Sequence, residues 1–245
     1  MIAAIRSEWI KLTTVTVTWV LVICAVAFPL VVALLTALLA EDVTGETLAG
    51  AVTGTTVVTA MLFGVVASVG ITGEYANNTI RPTFAAMPDR WRPLLAKPIV
   101  TAGAATALTT VIVVVGWFGG RLVAGESTSE DLDGTGAALF GVVVLAIGLT
   151  LLGYGLGLLI RNTAASICVL LLWPLIAEGL VAALLSGIGA EGAGKWLPYS
   201  AGIQMAVVDI GDEDVLGRVA GGIYFFAWVL AILVFGLITA KRRDA

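Results

Sequence analysis

"TVTWVLVICAVAFPLVVALLTALL", residues 16–39, runs for 24 residues without a charged side chain. A hydrocarbon core about 30 Å thick needs roughly 20 helical residues to cross it, so this stretch is long enough to span a bilayer. It exceeds the ~7–15 residues of a signal-peptide apolar core and no convincing cleavage site follows, so it reads as a permanent span. Lipid offers the backbone no hydrogen-bond partner, which makes the span a helix despite its valines and isoleucines.

Five more runs of the same kind follow, at Thr53–Gly73, Ile99–Phe118, Gly136–Leu159, Ala164–Leu185 and Val219–Ala240. The expected fold is therefore an all-α integral membrane protein with six transmembrane helices, one domain over residues 1–245. Composition agrees: 59% of the chain is hydrophobic and only 12% charged, about half the charge of a soluble domain. There is no histidine, and Cys24 and Cys168 lie inside apolar runs, which excludes a disulfide framework or a Cys/His zinc site. A net charge of −4 argues against a nucleic-acid partner.

Six spans put both ends of the chain on one side. If that side is the cytoplasm, the inner basic residues are Arg6, Lys11, Arg81, Arg90, Arg92, Lys97, Arg161, Lys241, Arg242 and Arg243, ten of thirteen. The excess of Lys and Arg on cytoplasmic loops then sets the orientation, with both termini cytoplasmic in a plasma (inner) membrane.

Three segments do not cross. Residues 1–14 place Ile2, Ile5, Trp9 and Leu12 at helical spacing, the pattern of a short amphipathic helix lying in the inner interface. Residues 74–97 form a cytoplasmic loop between spans two and three, with four basic residues and three prolines. Within it, Thr79 or Asn78 can cap a helix whose first turn holds Pro82, and Pro88 stops it. Ile80, Phe84 and Met87 make one apolar stripe on that helix. A helix under three turns long is marginal alone and needs a docking surface. On the outside, residues 188–218 carry WLPYSAGIQMAVVDI, too short to cross and apolar enough to dip back as a partly buried lid.

Motifs of chemistry are weak. Residues 189–196 nearly spell a phosphate-binding loop, but Trp196 replaces the Ser or Thr that would hold magnesium, and no strand precedes it. Neither HExxH nor G-x-S-x-G occurs, so no catalytic, cofactor-binding or metal-binding residue is assigned and the chain is not read as an enzyme. Gly116/Gly120 and Gly153/Gly157 are small-xxx-small pairs for close helix packing. Glu178, one turn beyond Pro174 in the fifth span, is an ionisable group within the bilayer. Burying it costs a few kcal/mol, so it must face protein or a wet cavity. Two roles stand open for it: a brace for the outer lid, or a lining of the substrate path.

The order of these pieces resembles the permease subunits of type-2 ABC exporters. The likeness rests on SEWIKL at the start, GEY…TIRPT after span two, a basic run ending in LLAK, LLIRNTAAS before span five, a late Glu in that span, and LPYSAG outside. The resemblance implies a permease that dimerises, as a homodimer or heterodimer, and is driven by two copies of a separate ATP-binding cassette subunit. No cofactor is expected on this chain, with ATP and Mg on the partner. It also implies that the 74–97 segment carries a coupling helix. Glu74 and Tyr75 would open that segment, Thr79, Ile80, Arg81 and Phe84 would touch the ATPase, and Arg161 and Asn162, with Thr163, would form a second inner contact. Asn77 and Asn78 depart from the family, which often has a basic residue and glycine there. The implied function is export of a small amphipathic or lipophilic substrate such as a drug, antibiotic, peptide or lipid. A scaffold or sensor that merely recruits an ATPase is the alternative, and a secondary transporter is another. The latter usually carries several ionisable groups at midplane.

Overall fold

The structure, a computed structural model, describes residues 1–40, 43–79, 91–125, 134–190, 192–208 and 215–243. Helix α1 (Ile2–Thr14) precedes five long helices: α2 (Thr16–Leu39), α3 (Gly45–Ala76), α4 (Trp91–Ala124), α5 (Thr135–Ile160) and α6 (Thr163–Gly187). A short α7 (Pro198–Ile203) and a final α8 (Arg218–Arg243) complete the described elements. Six of these are long and apolar enough to cross a membrane, and they contain the six runs read from the sequence. No strand occurs among the described residues. We call the face bearing both termini basal and the opposite face distal.

Helices α3 and α5 form the central pair, with α2 and α4 against α3, and α6 and α8 flanking α5. Lipid tails are as apolar as leucine, so the spans associate through close packing and polar contacts between helices. Glycine provides the closeness. A Cβ on Gly153 would collide with the Gly64 carbonyl, and one on Gly157 with the Ile71 side chain, so the α3–α5 seam closes backbone to backbone. Gly116 and Gly120 play the corresponding part for α4, facing Val52 and Leu48 of α3.

Prolines inside spans remove a donor and leave a carbonyl four residues earlier without its helical partner. Two of these orphans are met by hydroxyls from neighbouring spans. Pro29 frees the Ala25 carbonyl, which accepts from Thr59 Oγ1 of α3. Pro98 frees the Leu94 carbonyl, which accepts from the Tyr154 hydroxyl of α5 at 2.7 Å. Tyr154 is fully buried, so Tyr154→Phe would strand that carbonyl. A loss of about 1–2 kcal/mol, read as a lowered unfolding temperature of the purified protein, is the expected outcome. At the third proline, Pro174, the ladder instead widens into a π-helical turn over Trp173–Ala177.

Candidate functional site

The basal face gathers the polar residues of α1 and of the helix ends around the 74–97 segment. Helix α1 buries Ala4 and Glu8 against the spans and turns Ile2, Trp9 and Ile10 outward. This arrangement suits an interfacial helix: the apolar side faces lipid, and the charged side finds counterions in the protein. Lys97 of α4 lies 2.6 Å from Glu8 Oε2 and 3.0 Å from Glu74 Oε1. Lys11 lies 2.7 Å from Glu8 Oε1 and 2.8 Å from Glu74 Oε1. Two carboxylates and two ammoniums thus alternate in a neutral clasp drawn from α1, α3 and α4. Lys97 is 8% exposed at its side chain, whereas Lys11 is 42% exposed.

Burial opposes the charge on Lys11, but its hydrogen bonds to Glu74 and Glu8 outweigh that and hold its pKa above the ordinary 10.5. A pKa raised on folding stabilises below the unfolded value and is lost as pH climbs through the folded one. The contribution of Lys11 to the docking of α1 is therefore expected to be intact at about pH 9 and to be lost only above about pH 10.5, loosening a helix that Lys97 still holds. Hydrogen exchange of residues 2–14 along a pH series would measure it.

Tyr75, the neighbour of Glu74, faces another way. Its ring lies under the Arg161 guanidinium, 4.4 Å from centroid to carbon. Arg161 has φ +56° and closes α5 by donating its N–H to the Gly157 carbonyl. Asn162 caps α6, its side chain accepting from the Ala165 N–H at 3.0 Å. Thr163 donates to Thr72 Oγ1 at 2.8 Å. The α5–α6 corner is thus fastened to the basal end of α3. Lys241 of α8 sits over the Trp91 ring at 4.9 Å, adding the last span to the same face.

Thr79 completes α3. Its N–H donates to the Glu74 carbonyl and the Asn78 N–H to the Tyr75 carbonyl, the paired bonds of a Schellman ending. Asn78 supplies the left-handed residue at φ +54°, where asparagine is one of the few side chains tolerated. Glycine is the usual residue at such a helix end, and asparagine is the common substitute. The capping role expected of Thr79 or Asn78 for the next helix concerns residues beyond 79. Ile80, Arg81 and Phe84, with the rest of 80–90, lie outside the described residues. Of the residues predicted to meet an ATPase, the structure joins Tyr75 to Arg161. It draws Glu74 into the charge clasp instead.

On the distal side, Glu178 is 2% exposed. Its Oε1 accepts from Trp173 Nε1 at 3.1 Å and the Tyr199 N–H at 2.8 Å. Its Oε2 accepts from the Ser200 N–H at 2.7 Å and Ser200 Oγ at 2.8 Å. Tyr199 and Ser200 are the second and third residues of α7, whose own N-cap, Leu197, has no side-chain acceptor. The carboxylate supplies the missing cap across 22 residues of chain. Burial, with the Glu178 charge second, pushes the Tyr199 phenol well above its usual range. Ala201, Gly202, Met205 and Ala206 are the buried residues of this lid, and the Arg218 guanidinium holds its far end through the Val207 and Val208 carbonyls.

Glu178→Ala removes both acceptor oxygens from four donors and is expected to cost about 2–3 kcal/mol, with faster hydrogen exchange at 197–206. Glu178→Gln keeps one oxygen but turns an amine toward N–H donors, so it should recover only part of the loss. Normal turnover of a defined substrate by both variants would rule out a pathway role for this residue.

Residues 4–186 match the sequence profile of the family described as ABC-2 family transporter protein. The chain belongs to that family. The match takes in α1, the charge clasp, the α5–α6 corner and Glu178, and it ends before the lid and the last span. No curated protein matches the sequence. Membership makes this a membrane component of an ABC transporter, a multi-pass permease that works with an ATP-binding subunit. Sequence reasoning missed Glu8, Lys97 and Ser200 as partners in these clusters. For Glu8 a signal existed: at 100° per residue it stands about 60° from Ile5, an acid at the edge of an apolar stripe.

Proposed function

We propose that this permease is the membrane half of an ATP-driven exporter in the plasma membrane, with both termini cytoplasmic. Two copies, or this chain and a second permease, pair with two ATP-binding subunits that carry ATP and Mg. A small amphipathic or lipophilic substrate leaves the cytoplasm between the paired permeases.

The observation that carries this reading is the clasp of Glu8, Lys11, Glu74 and Lys97. It ties the two helix ends that flank residues 77–90 to each other and to α1. Force applied to that segment is therefore passed to α3 and α4 as one unit. Thr79, Ile80, Arg81 and Phe84 form the main contact with the ATPase, Tyr75 backs it, and Arg161 and Asn162 form the second. Closure of the two ATPases draws these segments together and rocks the permeases apart on the other side.

The test is ATP-dependent efflux from vesicles holding the permease and its ATPase, comparing wild type with Arg81→Glu. Flux in the first and at least a tenfold drop in the second are expected. No ATP-dependent flux in either would leave a scaffold that only recruits the ATPase.

A further inference from the structure

Helices α6 and α8 both pack on α5, but they make at most marginal contact with each other. Between them is a cleft of ≈ 430 Å³, within the roughly 300–1,000 Å³ of ligand pockets. Leu149 of α5 and Phe225 and Val229 of α8 form its buried floor, and residues 196–199 of the lid roof it. Its rim is Trp173, Trp196 and Trp228, each about half exposed.

Three fillings can be weighed. Water needs two to four polar partners, and the exposed wall is almost wholly apolar. The one carboxylate in the wall, Glu178, already receives four donors, which uses its lone-pair sites. For the same reason it has no acceptor left for an ammonium. An empty cleft would forfeit dispersion contacts along every wall. Hydrocarbon satisfies all three conditions. The cleft runs between two spans from the lid, where Trp196 stands at their distal end, down to Trp173 and Trp228 about 15 Å inside their helices, the depth of an acyl chain rather than of a headgroup.

We infer that the α6–α8 cleft is a binding site for one uncharged acyl chain of a bilayer lipid from the distal leaflet. The chain lies against the π-helical turn at Trp173–Ala177 and beneath α7, so it wedges apart the two spans that the lid bridges. Its head remains beside Trp196 at the distal end, outside the cleft. This site needs neither the ATPase nor any direction of transport.

The experiment reconstitutes the full-length permease in phosphatidylcholine nanodiscs containing a phosphatidylcholine with a diazirine in its acyl chain. After irradiation, labelled peptides are mapped by mass spectrometry. Label is expected on the floor, at Leu149, Phe225 or Val229, besides the lipid-facing surface of α2. Leu152→Trp, which fills the cleft from α5, should cut floor labelling at least fivefold and leave α2 labelling unchanged. Val169→Trp does the same from α6 should the first variant not fold. Label confined to outward-facing residues, or floor label indifferent to the variant that folds, would overturn the inference. So would displacement of the floor label by tetraphenylphosphonium, which would make the cleft a site for lipophilic cations. A photoreactive amino acid placed at Val169 that cross-links to a second permease copy, with the floor unlabelled by lipid, would instead assign the cleft to an interface.

Discussion

Lys97→Met is expected to cut ATP-driven flux at least tenfold and to destabilise the purified permease by about 3–5 kcal/mol. Lys97 is the less exposed of the two cations between Glu8 and Glu74, and it touches both acids. Without it, two buried carboxylates share Lys11 alone, and removing one partner of a buried pair costs far more than the pair ever contributed. Lys11→Met should be much milder, under about 1 kcal/mol, because a half-exposed cation is screened by solvent. The double variant Glu8→Gln with Lys97→Met restores neutrality and should recover more than half of the lost stability. If flux recovers with stability, the clasp acts by holding the frame together. If stability recovers and flux does not, Glu8 itself passes force from α1. Thermal unfolding and vesicle flux on the same preparations separate these outcomes.

Gly153→Leu should have the largest effect on folding. The Gly153 position meets the Gly64 carbonyl across the α3–α5 seam, where backbone rather than a movable side chain is in the way. Any side chain forces the central pair apart, so the cost is at least the ~1–3 kcal/mol typical of overpacking and more where backbone must move. The same separation would pull Ser68 from Ser166, which now stand at 2.9 Å, and would widen the Tyr154–Leu94 bond. Gly73→Leu is the control on α3, because a Cβ there meets nothing within 4 Å. Normal yield of folded Gly153→Leu protein would show that the seam is not close-packed in the membrane.

The six spans were legible because lipid simplifies the problem: length and apolarity alone decide what can cross. Their polar extensions were not. Helix α3 begins at Gly45 and α4 runs from Trp91, well beyond the apolar runs, because protein contacts continue where lipid stops. The small-xxx-small pairs did locate the close seams, since only glycine permits such approach. Glu178 announced itself as a buried acid, but its partners lie 21 and 22 residues away, and such pairing leaves no local trace. Lys97 was hidden for the same reason. It reads as the last charge of a basic loop, and its burial depends on an acid 89 residues earlier. The left-handed conformation of Asn78 was likewise not legible, because it depends on where α3 ends.

The central claim is that the segment between α3 and α4 is worked by a separate nucleotide-hydrolysing subunit. Its most direct test is the double variant Ile80→Asp, Phe84→Asp, assayed for capture of the ATP-binding subunit and for ATP-driven flux in vesicles. Loss of capture and at least a tenfold fall in flux, with unfolding temperature unchanged, is the expected result. Undiminished pumping by that variant, or a wild-type permease that captures no such subunit, would contradict it.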